Sequence, residues 1–145
     1  NSNRNSITTI RDVIKDWYIM TASMVYRKRM LNKLPEWYVN VKNGDYALQL
    51  LLAHKGKIGY INQPMAVYRI HKGGFSNIFT SKKFYFNSLN FLFKKFNQQT
   101  NYKYHWLIKK RMFLLFTTLL KKSIVEFLYG CYKKLYFLKA LRRNL

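Results

Sequence analysis

The first apolar pattern in the chain has helical spacing. Ile10, Val13 and Ile14 fall on one face of a helix that would begin directly after Thr9. Thr9 is followed three residues later by Asp12, a spacing typical of a capping box. The pattern therefore predicts a short helix that starts at Ile10.

A second helical pattern follows a turn-rich stretch. Leu48, Leu51 and Leu52 make an apolar stripe in the segment that runs from Asp45 to Gly56. Asp is favoured at the N-cap of a helix and Gly just beyond its C-terminus. We therefore expect a helix with Asp45 as its N-cap and Gly56 as its C′ residue.

Three other segments resemble strands. Residues 17–26 are uncharged, which predicts a buried strand followed at its solvent end by residues 27–29. Ile58 with Tyr60, and then residues 65–70, predict two short strands separated by a turn at residues 62–64. Together with the two helices, this order predicts an α/β piece.

The character of the chain changes near residue 80. Residues 80–145 contain 15 Lys and Arg, one acid and no proline, whereas residues 1–79 hold the other four acids and both prolines. Basic pairs and triplets at 109–111, 121–122 and 133–134 recur at helical intervals, with Phe and Leu between them. This arrangement predicts basic amphipathic helices, and their basic stripe would be continuous if one helix ran through Gly130. We therefore divide the chain into residues 1–79 and 80–145.

The net charge of the chain restricts the classes of molecule that it is expected to bind. The 27 Lys and Arg against 5 Asp and Glu give a formal net charge of +22. Such an excess favours anionic partners: phosphate groups, nucleic acid or an acidic membrane surface. A compositional bias toward Lys, Asn, Tyr, Phe and Ile explains part of the excess but not the shortage of acids. Cys131 is the only cysteine, which excludes an internal disulfide and a cysteine-based zinc site and fits a reducing cytoplasm. We find no signal peptide and no apolar run long enough for a transmembrane helix.

Asp45 is the first candidate for chemistry. An Asp before an apolar helix is most often only a cap, yet the same position suits a general base, since the helix N-terminus favours a negative charge.

The second candidate is the pair Arg69 and His71, which precede Gly73 and Gly74. Because they are two positions apart, we expect them to point to the same side of a predicted strand. They could meet a diphosphate or a metal, and the alternative is a surface histidine beside a basic loop. No second His or carboxylate stands at metal-ligand spacing.

Four segments, taken in order, resemble a known family. They are TASMVYRK (21–28), LPEW (34–37), GDYALQLLLAHKGKIGYI (44–61) and MAVYRIHKGGFS (65–76). They resemble family 2 glycosyltransferases of bacterial surface-polysaccharide synthesis, which have the GT-A fold, over about half of the chain. The resemblance implies an α/β fold in which residues 1–79 are the C-terminal half of a Rossmann-like GT-A domain. The basic amphipathic helices predicted above from the spacing of residues follow this domain.

The resemblance also implies an activity. It implies inverting transfer of a sugar from a nucleotide-diphosphate sugar to a saccharide or lipid-linked acceptor. Asp45 would be the catalytic base, His71 would complete the metal or diphosphate site, and Arg69 would bind the donor. Trp37 would stack on an acceptor sugar, although a role as a core anchor is equally open. A divalent cation, Mn²⁺ or Mg²⁺, would offset charge on the departing diphosphate.

Three departures from the family pattern qualify this expectation. Gly44 stands where many relatives have a second acid, and the Q-x-x-R-W signature of processive relatives is missing, which favours single-sugar transfer. No D-x-D occurs in the sequence, so we expect the nucleotide-binding half and the main metal ligands outside this chain, which alone would lack independent catalysis.

The basic region, residues 80–145, lies outside the resemblance. We expect it to dock on the anionic inner face of the cell membrane, which would make the protein cytoplasmic and peripheral. The alternatives are helices that only show a solvated basic face, or a non-catalytic module for a membrane surface or nucleic acid, of which nucleic acid is the weaker since no recognisable motif supports it.

Overall fold

The computed structural model describes residues 7–64, 66–67 and 81–143, and beyond Ile124 it describes the side chain of Tyr129 alone. The described part is mostly helical. Its regular elements are the strands β1 (Ile7–Thr8) and β2 (Ile58–Gly59) and the helices α1 (Ile10–Lys15), α2 (Gly44–Lys55), α3 (Lys82–Gln99) and α4 (His105–Arg143). Three 3-10 helices lie between α1 and α2: Thr21–Ser23, Lys28–Met30 and Glu36–Asn40. By its internal contacts the chain divides into two compact units, Asn1–Arg111 and Met112–Leu145.

Helix α2 lies at the centre of the first unit and packs against both α1 and α3. Tyr46 is its main core residue: its ring stacks on Trp17 at 5.3 Å between centroids and meets the edge of Phe93 at 5.8 Å. The Tyr46 hydroxyl donates to the backbone oxygen of Val13 at 2.8 Å. Each large apolar side chain buried in this way stabilises the fold by about 1.5–3 kcal/mol. The fully buried apolar side chains of this core are Val13, Ile14, Tyr46, Ala47, Leu50, Leu89, Leu92, Phe93 and Phe96.

The start of α1 agrees with the sequence pattern. The carboxylate of Asp12 accepts hydrogen bonds from the backbone N–H and the hydroxyl of Thr9, both at 2.8 Å. These bonds and the burial of Val13 and Ile14 confirm the predicted capping box and helix. Ahead of this helix, β1 pairs antiparallel with β2, and Ile7 lies opposite Gly59.

Helix α2 departs from its predicted ends. Its N-cap is Asn43 and Gly44 is its first residue, so the expected N-cap role of Asp45 is wrong. Gly56 is the C-cap and not a C′ residue, and its backbone is extended, a conformation open to any residue. The expected apolar face is only partly right, since Leu48 and Leu52 are half-buried. Tyr46 and Leu50 are fully buried instead, because α2 packs between α1 and α3.

The buried strand predicted for residues 17–26 is wrong. This segment is extended coil around a single 3-10 helix, and Val25 is 96% exposed. The side-chain amide of Gln49 donates to the backbone oxygen of Ile19 at 2.7 Å. A side chain of α2 thus satisfies a carbonyl that a neighbouring strand would otherwise have to satisfy.

The two strands predicted after α2 have different outcomes. Ile58 lies in β2, but this strand ends at Gly59 and does not reach Tyr60. The strand predicted for residues 65–70 lies outside the described residues apart from 66 and 67, which are not in a strand.

The helices predicted for the basic region are confirmed, and α4 continues through Gly130. The N-cap of α3 is Ser81, whose hydroxyl oxygen accepts a hydrogen bond from the backbone N–H of Phe84 at 3.4 Å. After α3, Asn101 and Tyr102 adopt left-handed backbone conformations with φ of 48° and 61°. The Tyr102 N–H donates to the Asn97 oxygen at 2.8 Å, which closes the end of the helix.

Candidate functional site

Asp45 lies in the first turn of α2, and each of its carboxylate oxygens accepts a hydrogen bond. The hydroxyl of Thr21 donates to Oδ2 at 2.7 Å, and the backbone N–H of Tyr46 donates to Oδ1 at 2.9 Å. Hydrogen bonds to a carboxylate are stronger than neutral ones and fix its orientation. The side chain nevertheless stays partly exposed, so a ligand could reach it.

Tyr38 supports the backbone that leads into Asp45. Its hydroxyl donates to the backbone oxygen of Gly44 at 3.0 Å. Burial and the negative charge of Asp45 raise the pKa of the Tyr38 phenol, so Tyr38 remains a neutral donor at physiological pH. A Cβ at Gly44 would lie 3.4 Å from that hydroxyl, an ordinary van der Waals distance, so alanine would fit there beside Tyr38.

Asn43 is a further polar residue at this end of α2. It is only 1% exposed, and neither atom of its side-chain amide has a hydrogen-bond partner. Leaving a buried polar group unpaired costs about 1–3 kcal/mol, so each such group needs an explanation, and a functional role is one of them. Asn43 therefore belongs with Thr21, Tyr38 and Asp45 as a candidate site residue.

Thr21, Tyr38 and Asn43 were not singled out from the sequence. An Asn directly before an apolar helix is an N-cap signal, and this signal could have identified Asn43. Thr21 lies 24 residues before Asp45, and no local pattern indicates that they meet.

Trp37 lies in the 3-10 helix Glu36–Asn40, which packs against α2. Its indole N–H donates to Oε1 of Gln99 at 3.3 Å, and its ring is half-buried. Trp37 and Asp45 thus lie on neighbouring elements. Trp37 is hydrogen-bonded to Gln99 on α3, whereas Asp45 is hydrogen-bonded to Thr21. The two expectations for Trp37, a sugar platform and a core anchor, both stay predictions.

Arg69 and His71 lie outside the described residues, so their expected roles in donor and metal binding stay predictions. Within the described ranges, no group of three or more His, Cys, Asp or Glu side chains could hold a metal ion. The Mn²⁺ or Mg²⁺ that the resemblance implies was expected to find its main ligands outside this chain, and that expectation also stays a prediction.

The described part of α4 exposes large apolar side chains. In the second unit, Phe113, Leu120 and Ile124 are 65%, 44% and 57% exposed, and Lys121 and Lys122 beside them are exposed as well. Among the residues that the structure covers, no helix has the length and apolarity needed to cross a bilayer.

Comparison of the chain with protein-family models, with curated proteins and with solved structures finds no match. The assignment of a candidate function therefore rests on the sequence motifs and on the geometry around Asp45.

Proposed function

We propose that this chain is the acceptor-side part of an inverting glycosyltransferase that uses a nucleotide-diphosphate sugar, and that Asp45 is its general base. The observation that carries the proposal is the fixed and partly exposed Asp45 carboxylate at the start of α2. The order of the sequence motifs around it supports the same function.

The reaction would need one proton transfer and one displacement. A carboxylate oxygen of Asp45 takes the proton of an acceptor hydroxyl, and the oxygen of that hydroxyl forms a bond to the anomeric carbon of the donor sugar. The bond from this carbon to the nucleoside diphosphate breaks on the opposite face, which inverts the configuration. A bound divalent cation would offset the charge of the diphosphate.

Thr21 would serve as a positioning residue for this chemistry. Its hydroxyl donates to Oδ2 of Asp45, so it limits rotation of the carboxylate about χ2. Each oxygen keeps a further lone pair that could receive the acceptor proton.

Asp45→Asn in the product of the complete reading frame tests the proposal. The protein is incubated with nucleotide-diphosphate sugars and saccharide or lipid acceptors, and release of nucleoside diphosphate is measured together with sugar incorporation. We expect a loss of at least about 100-fold in transfer, since general bases contribute about 10²–10⁴-fold. Donor binding, measured by calorimetry, should stay within about twofold.

Asp16→Asn is the matched control, since it removes one carboxylate elsewhere and should leave transfer unchanged. Normal turnover by Asp45→Asn would remove Asp45 from the mechanism. Absence of transfer by the unsubstituted protein with every donor would contradict the enzymatic function itself.

A second candidate function, binding to an anionic membrane surface, is favoured by one face of α4. Phe113, Leu120 and Ile124 recur at i, i+7 and i+11, so they share a helix face. Lys121 follows Leu120 directly and is exposed. Apolar side chains beside lysines suit insertion among anionic headgroups, where each cation contributes about 1 kcal/mol.

Co-sedimentation with vesicles tests this second candidate. The chain should sediment with vesicles of phosphatidylcholine and phosphatidylglycerol, but not with phosphatidylcholine alone, and high salt should release it. Replacing Phe113, Leu120 and Ile124 with serine should reduce the bound fraction, whereas the exposed Val39→Ser should not. Salt-sensitive binding to single-stranded nucleic acid without vesicle binding would instead identify nucleic acid as the partner.

A further inference from the structure

An open cleft lies between the 3-10 helix Glu36–Asn40 and α3. Glu36, Trp37 and Asn40 line one side, and Phe91 and Lys95 line the other. Its volume is about 450 Å³, which falls within the range of small-molecule sites in proteins. All of these residues belong to the first compact unit.

The aromatic part of the cleft is held in place. The hydrogen bond from Trp37 Nε1 to Gln99 Oε1, at 3.3 Å, ties the indole edge to α3. Phe91 is half-buried on the same helix, where the Lys95 ammonium lies 5.9 Å from its ring centroid. An aromatic ring that is already oriented loses little entropy when a ligand binds against it.

The polar groups of the cleft include one negative charge, one positive charge and a neutral amide. Glu36 offers a carboxylate that accepts hydrogen bonds, Lys95 an ammonium that donates, and Asn40 an amide that does both. The formal charges of Glu36 and Lys95 cancel. In a chain of net charge +22 with only five acids, this balance sets the cleft apart from the basic surface.

The balance of charge decides between classes of ligand. A nucleotide or phosphate would favour a cationic site without a carboxylate. A neutral sugar ring has an apolar C–H face that can pack on an aromatic ring, and hydroxyls at its edge that both donate and accept. Aromatic rings with a carboxylate and an amide around them suit that chemistry.

We propose that the cleft formed by Glu36, Trp37, Asn40, Phe91 and Lys95 is a binding subsite for a neutral pyranose ring. Its assignment as the acceptor subsite rests on the proposed function. Its assignment as a saccharide-binding site does not depend on that function. Trp37 then acts as the platform of this subsite and Asp45 lies on the neighbouring helix.

Saturation-transfer NMR on the complete chain tests the subsite. The probes are the methyl β-glycosides of glucose, galactose and N-acetylglucosamine at millimolar concentration, with methyl β-glucuronide as the charged comparison. At least one neutral glycoside should receive saturation, mainly on its ring C–H protons. Trp37→Ala should lower that signal by about fivefold or more.

Trp106→Ala is the matched control, since Trp106 is 78% exposed and does not line the cleft. It should leave the signal unchanged. Asn40→Ala, at an exposed position, should also weaken binding and serves if Trp37→Ala fails to fold. No saturation with any neutral glycoside, stronger saturation of the glucuronide, or equal signals in the wild type, Trp37→Ala and Asn40→Ala would overturn the proposal.

The same variants separate this proposal from the glycosyltransferase activity. If Asp45→Asn abolishes transfer while Trp37→Ala and Asn40→Ala leave glycoside binding intact, the cleft is not the subsite and the activity stands. If a glycoside binds in a Trp37-dependent way but the chain never supports transfer, the saccharide site stands and the activity fails.

Discussion

Thr21 Oγ1 donates a hydrogen bond to Asp45 Oδ2 at 2.7 Å, across 24 residues of sequence. The contact joins the 3-10 helix Thr21–Ser23 to the first turn of α2. It is the most specific geometric feature of the candidate site, since the second donor to Asp45 is the neighbouring backbone N–H.

Thr21→Val removes this donor while keeping the shape of the side chain. If the bond orients a catalytic base, we expect transfer to fall by about 10-fold or more, with kcat affected more than KM. Thr21→Ser keeps the hydroxyl and should retain most of the activity. Steady-state kinetics of the two variants measure this, and equal rates would show that Thr21 does not position Asp45.

Tyr46→Phe tests the core beneath the site. The hydroxyl donates to the Val13 oxygen at 2.8 Å and is buried, so its loss should lower the free energy of unfolding by about 1–2 kcal/mol. Tyr60→Phe is the control, since Tyr60 is 44% exposed and should change stability by less than about 0.5 kcal/mol. Urea unfolding of both variants measures the difference, which would be absent if the hydroxyl contributed nothing.

The capping box at α1 predicts an acid-dependent stability. The hydrogen bonds from the backbone and the hydroxyl of Thr9 lower the pKa of Asp12. A lowered pKa contributes stability that is present above the unfolded value of about 3.9 and is lost as the pH falls through the folded pKa. Asp12→Asn should lower the free energy of unfolding by a few tenths to about 1 kcal/mol at neutral pH. It should also reduce the loss of stability that the wild type shows below a pH of about 4.

Unfolding in urea at several pH values measures this effect. Glu36→Gln, which removes a carboxylate outside the capping box, is the control and should keep the acid-dependent decline. A decline in Asp12→Asn as steep as in the wild type would contradict the assignment.

His54 predicts a second pH dependence at higher pH. Burial of its ring, and then the charges of Lys103 and Lys55, lower its pKa. Although the residue as a whole is exposed, its ring meets Tyr104 at 5.7 Å and Nδ1 lies 3.0 Å from the Tyr104 hydroxyl. The neutral imidazole is therefore favoured by folding.

The sign of this dependence follows from the lowered pKa. The neutral His54 ring contributes stability that is fully present above the unfolded pKa of about 6.5. This stability is lost as the pH falls through the lower pKa of the folded protein. His54→Gln should make the free energy of unfolding less dependent on pH in that window. Urea titrations between neutral and mildly acidic pH measure this, and an unchanged slope in the variant would contradict it.

The sequence predicted those features that depend on local spacing. Thr9 with Asp12 marked the start of α1, and the helices expected in the basic region are present. The sequence left open whether one helix runs through Gly130, and α4 does so. These signals work because capping and helical periodicity involve residues three or four positions apart.

Features set by distant contacts were missed. The apolar run at 17–26 suggested a strand, but Gln49 from α2 satisfies the Ile19 carbonyl from 30 positions away. Asp45 was placed at the N-cap because Asp favours that position, whereas Asn43 occupies it. Asp45 was identified as a candidate, but its partner Thr21 could only be identified once the segments were folded together.

The position of α2 has a consequence for how the specificity of such a protein could diverge. The helix that carries Asp45 is fixed on both sides by core contacts of Tyr46 to Val13 and Phe93. The cleft residues Glu36 and Asn40 are exposed and outside that core. Under the two proposals, substitutions at these exposed positions could change which sugar is recognised without moving the base, so new acceptors would be accessible by single surface mutations.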